Sequence, residues 1–243
     1  MRIYYDFHLH SALSPCGDGD MTPNNIVNMA KIMGLDVIAL TDHNSCKNCR
    51  AAINVGENAG LTVIPGMELC TAEEVHVVCL FPEISSAEEF SEYIKTTVPP
   101  IKNKPSVFGE QLIMNENDEV TGVEETLLVT ASSLGINRVC ETVSKFGGFS
   151  FPAHIDRSSY SIISNLGAID ESLGFTAAEI FDISKEGVLK EKHPFLNTVP
   201  ILSSSDAHYL ENMRAASLWI EAKDSSAKAV INALKNLSRK GIE

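Results

Sequence analysis

Histidines and carboxylates recur in this sequence at the ends of apolar segments, spaced as metal ligands are. The first group is Tyr4-Tyr5-Asp6-Phe7-His8-Leu9-His10. In an extended strand, residues two apart share a face, so Asp6, His8 and His10 are expected on one side and Phe7 and Leu9 on the other. Two imidazoles on one face at a strand end make half of a metal site, although so short a motif also describes two structural histidines. The same i, i+2 geometry returns in Asp206-Ala207-His208. Between these ends lie Asp42, His43, Glu68, His76 and His154, and the first loop carries Asp18 and Asp20. Of the 7 histidines only His193 falls outside the set, a concentration that packing needs alone would not produce. Imidazole and carboxylate donors, with no obligatory thiolate, suit two or three divalent ions of Zn, Mn or Fe. Such ions lower the pKa of a bound water toward about 7 and neutralise charge building on a phosphoryl group. Hydrolysis of a phosphate ester is the chemistry expected.

The elements that must position these groups are read from the apolar pattern. After the first strand comes a loop dense in turn residues, Ser11 to Asp20. A helix follows, with Thr22 as N-cap, Pro23 at its first position and Gly34 as its stop. Asp36-Val37-Ile38-Ala39-Leu40 reads as a buried parallel strand that ends in Thr41-Asp42-His43. Ser45 is expected to cap a second helix reaching Ala59, with Gly60 as its stop. Leu61 to Glu68 then forms a third strand, and Val75 to Phe81 a fourth with His76 inside it. From Ile84 the pattern changes. Ser86 and Glu89 read as the capping box of a helix through Lys95, Pro99-Pro100 breaks the chain, and helices are expected around Glu124–Ser132 and Asn137–Phe146. This stretch is too long for a barrel connection, so residues 84–146 are expected to be an inserted, mainly helical cap. Strands resume at Phe149–His154, Ala177–Phe181, Val199–His208 and near Ser217–Glu221, before an amphipathic helix carrying Val230, Ile231, Leu234 and Leu237. The alternation predicts an α/β fold, a parallel barrel built from residues 1–83 and 147–243. In such barrels the functional groups sit at the C-terminal strand ends, where these histidines and carboxylates fall.

Composition narrows the partners. The net charge of −13 over 243 residues speaks against duplex nucleic acid, whose binding relies on many Lys and Arg contacts to phosphate, but not against a small anion held by cations. No apolar run approaches the ~20 residues of a membrane span, and the start lacks a basic region followed by an apolar segment, so the expectation is a cytoplasmic protein without a membrane partner. The cysteines, Cys16, Cys46, Cys49, Cys70, Cys79 and Cys140, are then expected as reduced thiols. Cys46 and Cys49 have redox or zinc-ligand spacing at a helix start, or are two small residues on its first turn. A zinc ion there would need two more ligands, for which Cys16 is the one obvious candidate.

Taken in order, HLHS, DGDMTP, GLDVIALTDHNS, PGMEL, HVV, PAHID and SSDAH resemble the signature segments of the PHP (polymerase and histidinol phosphatase) family over nearly the whole chain. The resemblance implies a distorted (β/α)7 TIM-like barrel with a trinuclear metal centre that hydrolyses phosphate esters. Carried over position by position, it implies one ion on His8, His10, Glu68 and Asp206, a second on Glu68, His76 and His154, and a third on Asp18, His43 and His208. The first loop departs from the family pattern. Many members place a histidine where Asp18 stands, and the SPCG residues lengthen the loop, so Asp20 is a rival ligand. Asp42 either orients a neighbouring ligand or is a turn carboxylate before a helix.

Arg157, three residues after His154, could clamp a phosphate oxygen, and Arg214 could do the same from beyond the SDAH segment. With Asp206 and His208 they complete the residues expected to carry the reaction. The expected substrate is a small phosphorylated metabolite, a nucleotide or a short oligonucleotide end. An amide or lactone hydrolase is the alternative on the same metals, since an activated water attacks carbonyls as well. A non-catalytic, regulatory metal-binding module is the third reading, weakened because each ligand position carries a competent residue. Oligomeric state is not legible in these residues.

Overall fold

A computed structural model describes residues 1–240 of the chain. Its sheet grows outward from β1 (Arg2–Leu9), which pairs in parallel with β2 (Val37–Leu40), itself parallel to β3 (Thr62–Cys70). The helices between them, α1 (Pro23–Ile32) and α2 (Cys49–Ala59), pack on one another and on the outer face of the sheet. Thr22 caps α1 with its side chain and Pro23 opens it, as the sequence predicts, and Gly60 ends α2 with a φ of 71° that other residues adopt at a cost. Two caps differ from expectation. The α2 helix starts after Asn48 rather than Ser45, and α3 (Ile84–Lys95) starts after Glu83, one turn ahead of the Ser86 box.

The parallel barrel expected from the sequence is a mixed sheet instead. β4 (His76–Leu80) runs antiparallel to β3, and β7 (Phe149–Pro152) antiparallel to β4, while β10 (Trp219–Glu221) lies antiparallel along the outer edge of β1. The reason is the connection after β3: Thr71 N–H bonds to Val75 O at 3.0 Å, closing a turn far too short for the crossover that parallel strands need. Six strands in the order β10-β1-β2-β3-β4-β7 therefore curl into a half-barrel. A separate parallel pair, β8 (Ala178–Glu179) and β9 (Ile201–Leu202), stands across the gap. Hydrogen bonds from Ile155 N–H to Glu179 O (2.9 Å) and from His10 N–H to Ala207 O (3.0 Å) tie that pair to β7 and β1.

The segment expected as a mainly helical cap is of mixed structure. α3 and α5 (Ile136–Lys145) pack on the sheet through Phe90, Ile94, Val139 and Val143, and between them lie the short α4 (Pro105–Phe108) and a hairpin, β5 (Leu112–Met114) with β6 (Val120–Val123). The helix expected around Glu124–Ser132 does not form. The Gln111 amide holds that backbone open, donating to Glu124 O and Thr126 O (both 2.8 Å) and accepting from Leu128 N–H (2.9 Å).

Inside the curl, Ile3, Tyr5, Phe7, Ile64, Val78, Phe151 and Leu202 form one apolar cluster, closed from below by Val230, Ile231 and Leu234 of α8 (Ala227–Lys240). Outside, Leu9, Ile38, Leu40, Val63, Met67 and Cys79 belong to the cluster shared with the helices. Phe7 and Leu9 thus lie in different clusters, against the simple alternation expected of β1. The strand shifts register between Asp6 and Leu9, and the irregularity changes which side later residues face. Phe7 stays inward on the Tyr5 ring, with centroids 4.1 Å apart, and His8 and His10 turn inward above it.

Candidate metal centre

The strand ends bring the titratable groups onto one carboxylate. Glu68, in the last part of β3 and 1% exposed, faces ring nitrogens of His8 (3.1 Å), His10 (3.3 Å), His43 (3.0 Å), His76 (2.9 Å) and His154 (3.0 Å). The antiparallel turn after β3 makes this possible, since it pairs Cys70 with His76 and folds β4 back beside Glu68. Asp206, beyond β9, adds a second carboxylate, with Oδ1 at 3.4 Å from His8 Nε2 and 3.3 Å from His10 Nε2.

A carboxylate offers about four lone-pair directions, too few for five imidazoles to be satisfied by hydrogen bonds alone. The buried atoms His43 Nδ1, Glu68 Oε2 and His154 Nδ1 have no hydrogen-bond partner, although His43 Nδ1 and Glu68 Oε2 are 3.0 Å apart. Donor atoms on a shared ion of ~2.0 Å bonds stand roughly 3.3 Å from one another, which is the spacing of the His8, His10, Glu68 and Asp206 atoms. Three groups offer ligand atoms that lie together within 4.8 Å: His8, His10, Glu68 and Asp206; His43, Glu68 and His76; His10, His43 and His208. The residues present fit divalent cations.

Electrostatics agree with that fit. Burial alone would lift the Glu68 carboxyl and lower the His8 ring. Instead His76, His8 and His43 hold Glu68 well below the carboxylate range, while Glu179, Glu68 and Asp206 hold His8 well above the imidazole range. Asp206 is lowered likewise, its burial outweighed by His8 and His10. His76 moves the other way, burial bringing it to about 4 despite Glu68.

Further residues hold the candidate ligands in place. Glu179, 1% exposed, bonds His8 Nδ1 (2.9 Å) and accepts from the backbone N–H of His154 (3.0 Å). It went unrecognised in the sequence, where a lone carboxylate inside the apolar run Ala177–Phe181 was the available signal. Asp42 accepts from Ser11 N–H, Ser11 Oγ and Ser14 Oγ, each at 2.7 Å, and Ser14 Oγ lies 3.0 Å from His10 Nδ1, so Asp42 reaches a candidate ligand through a hydroxyl. His154 and Asp206 have φ values of 29° and 50°, a left-handed strain of roughly 1–3 kcal/mol each that the surrounding bonds must hold.

Not every expected residue reaches the cluster. Asp18 belongs to none of the three ligand groups; its carboxylate accepts the Asp20 N–H at 2.8 Å, and Asp20 itself is exposed. Cys16 lines the same cavity as His43 and His208, though it too belongs to none of the three groups. Those two rings bring the Cys16 pKa down to about 5 against the effect of burial. Cys46 and Cys49 are buried in the outer apolar cluster, where burial raises both thiols, Cys46 to about 12. Arg157 bonds Asp206 Oδ2 at 2.8 Å and lies over the Phe181 ring at 4.2 Å. Arg214 lies over the same ring at 4.4 Å, but its Nη1 is held by Phe181 O (2.9 Å) and Ser203 Oγ (3.3 Å).

The cluster opens into a cavity of about 370 Å³ whose rim includes Phe108, Val129, Arg157 and Tyr160. That size lies within the usual range for small-molecule sites, roughly 300–1,000 Å³. A larger groove of about 630 Å³, between Met1 and α8 at the other end of the strands, has no histidine in its lining. Among the described residues no helix is long and apolar enough to cross a membrane.

Comparison with known proteins places these features among relatives. Residues 6–217 match the PHP domain. A 5'-3' exoribonuclease of Haemophilus influenzae is 34% identical over 83 residues, a match covering 33% of this chain and 29% of that protein. The lesion-specific endonuclease PfuEndoQ of Pyrococcus furiosus superimposes with a TM-score of 0.69 at 19% identity, over 98% of this chain and 56% of that one. Endonuclease Q in complex with a 27-mer duplex substrate, an abasic lesion at its active site, superimposes with a TM-score of 0.67 at 18% identity, over 98% and 57% of the two chains. The match thus spans under a third of the curated relative and a little over half of the solved chains.

Proposed function

The chain belongs to the PHP domain family, and from that premise we propose that it is a metal-dependent phosphoesterase whose centre is built on Glu68. The observation that carries the proposal is the single buried carboxylate facing five imidazoles. His8, His10, Glu68 and Asp206 would hold one ion, Glu68 with His76 and His154 a second, and His43 with His208 a third. Bound there, the ions supply an activated water and neutralise the charge that develops on the phosphoryl oxygens.

The chain's own residues do the rest. Glu179 fixes the tautomer and orientation of His8 while pinning the strained His154 backbone. Asp42 does the same for His10 through Ser14. Arg157 neutralises the outer oxygen of Asp206, and its remaining donors at the cavity rim clamp a phosphate oxygen. Arg214 supports that clamp from behind, since the Phe181 ring lies against both guanidinium groups and Arg214 holds the Phe181 carbonyl. Phe108 and Tyr160, 43% and 46% exposed, flank the same cavity, and rings so placed can stack a base. A nucleotide or a strand end therefore suits the site better than a bare sugar phosphate. Duplex nucleic acid, set aside on net charge alone, returns as a candidate because a chain of this fold is known in complex with one.

Phosphate release from nucleotides, oligonucleotide ends, abasic duplex and sugar phosphates, measured with stripped protein and again after adding Mn, Zn or Fe, tests the proposal. Metal-dependent turnover with preference for the base-bearing esters is expected. Turnover of lactones or amides alone would redirect the site to carbonyl hydrolysis, and no turnover of any ester would leave a binding module.

A further inference from the structure

The segment between β4 and β7 reaches the metal cluster through one buried amide. Asn48 precedes α2, a position from which an asparagine side chain commonly caps a helix, yet it makes no capping bond. Its side chain is turned instead onto two other parts of the chain. Toward the β5–β6 hairpin it acts as a neighbouring strand would, with Nδ2 donating to Leu112 O (3.0 Å) and Oδ1 accepting from Met114 N–H (2.9 Å). Toward the first loop, Nδ2 donates to Ser11 Oγ at 2.9 Å.

From Ser11 the bonds run on to a candidate ligand. Ser11 Oγ donates to Asp42 Oδ2 (2.7 Å), Ser14 Oγ donates to Asp42 Oδ1 (2.7 Å), and Ser14 Oγ lies 3.0 Å from His10 Nδ1. A hydroxyl has one proton to give, and both are committed to Asp42. Ser14 Oγ therefore accepts from His10 Nδ1–H, so Nε2 is the ring atom left for the group formed with His8, Glu68 and Asp206. Asn48, Ser11, Asp42, Ser14 and His10 are all fully buried, which shields the whole chain of bonds from water.

The hairpin at the far end of this chain is itself firmly seated. Leu112 N–H bonds to Ala12 O at 2.8 Å, and at the hairpin turn Asp118 accepts from Thr22 Oγ1 (2.7 Å) and Asn24 N–H (3.0 Å) at the start of α1. It is thus fastened near both ends of the loop that carries Ser11 and Ser14. Phe108, four residues before Leu112, lines the metal cavity.

We propose that Asn48 is a positioning residue that couples the seating of the β5–β6 hairpin to the metal position of His10. The proposal rests on the metal-dependent reading above. A seated hairpin holds the Asn48 amide on Ser11, the two serines hold Asp42, and His10 keeps its proton on Nδ1 and its Nε2 for an ion. The coupling is reciprocal, so an ion on His10 steadies the hairpin and with it Phe108 at the cavity rim. The insert is then part of the metal centre and not a cover over it.

Metal affinity, measured on the stripped full chain by competition with a chelator and by the visible absorption of bound Co(II), tests this without reference to activity. Asn48→Ala should weaken binding of the ion held by His10 roughly 2–30-fold and alter the cobalt spectrum. Ser11→Ala should weaken it too, and the double variant should bind no worse than the weaker single one, since both changes cut the same chain of bonds. Gln111→Ala removes a buried amide whose three side-chain bonds stay within the insert, and it should lower the urea midpoint while leaving both metal readouts unchanged. Asn48→Ser, whose hydroxyl can meet one partner but not span both, replaces Asn48→Ala should that variant not fold. Lower stability with unchanged cobalt affinity and spectrum in the Asn48 variants, equal weakening in Gln111→Ala, or single effects that multiply in the double variant would overturn the assignment and leave the metal-dependent reading standing. Failure of the wild type to bind metal at all would overturn both.

Discussion

Two layers inside the curled sheet are buried equally and held by opposite means. In the lower layer Ile3, Phe7, Ile64, Val78, Phe151 and Leu202 are at most 2% exposed, and in the upper layer His8, His10, Glu68 and Glu179 are at most 1% exposed. The lower layer stabilises the fold by removing apolar surface from water, roughly 1.5–3 kcal/mol for each large side chain. The upper layer takes titratable groups out of water, which costs several kcal/mol per charge unless partners or cations offset it. One layer carries the fold and the other, on the proposed function, carries the chemistry, and a substitution in each should separate the two.

Asp206→Ala should give the largest effect. Loss of an ion forfeits several kcal/mol of transition-state stabilisation, which at about 1.4 kcal/mol per factor of ten means roughly 10⁴-fold lower phosphoesterase turnover. Its urea midpoint should stay within reach of wild type, whereas Phe151→Ala should lower stability by about 3–5 kcal/mol and leave the metal content of the folded fraction unchanged. If Phe151→Ala lost metal without losing stability, the division between the layers would be broken.

A smaller effect is expected one step out from the ions. Glu179→Gln keeps the side-chain shape but withdraws the charge at 2.9 Å from His8 Nδ1, and metal affinity measured by competition with a chelator should fall roughly 10–100-fold. An unchanged affinity would demote Glu179 to a packing residue.

The smallest expected effect, which sharpens the comparison, is one of pH. His8, His10 and His43 are raised in the metal-free protein, burial being outweighed by the nearby carboxylates and, for His43, by Cys16 as well. A raised imidazole contributes stability that is fully present below its unfolded value of about 6.5 and is lost as pH climbs through the folded value. Glu68 and Asp206 are depressed, so their contribution is present above roughly pH 4 and lost only in stronger acid. Ligating imidazoles must also shed their protons, so metal binding weakens as pH falls. The rise in melting temperature on adding metal should therefore be larger near about pH 8.5 than near about pH 6. An equal rise at both would mean that these histidines are already neutral without metal.

The amino-acid sequence determines which donor types are available and that they fall at strand ends, because coordination chemistry restricts ligands to a few residue types and i, i+2 pairs on a strand need no tertiary information. Local signals of the same kind, the Thr22-Pro23 start of α1 and the Gly60 end of α2, were legible for the same reason. Other features depend on partners distant in sequence. The register shift that turns His8 and His10 inward is set by pairing with β2, and the helix expected at Glu124–Ser132 is lost to the Gln111 amide. The neighbourhood of Glu68 with His76 follows from β4 folding back antiparallel, where the pattern of apolar runs suggested parallel strands. Glu179 is 171 residues from the His8 ring that it orients. Tertiary structure alone decided that the Asp18 carboxylate stays outside the three groups: the bond from Asp18 N–H to His208 O fixes the loop backbone, and the carboxylate turns onto the Asp20 N–H. A side chain's type is written in the chain, but the point in space it reaches is set by backbone bonds to residues far away.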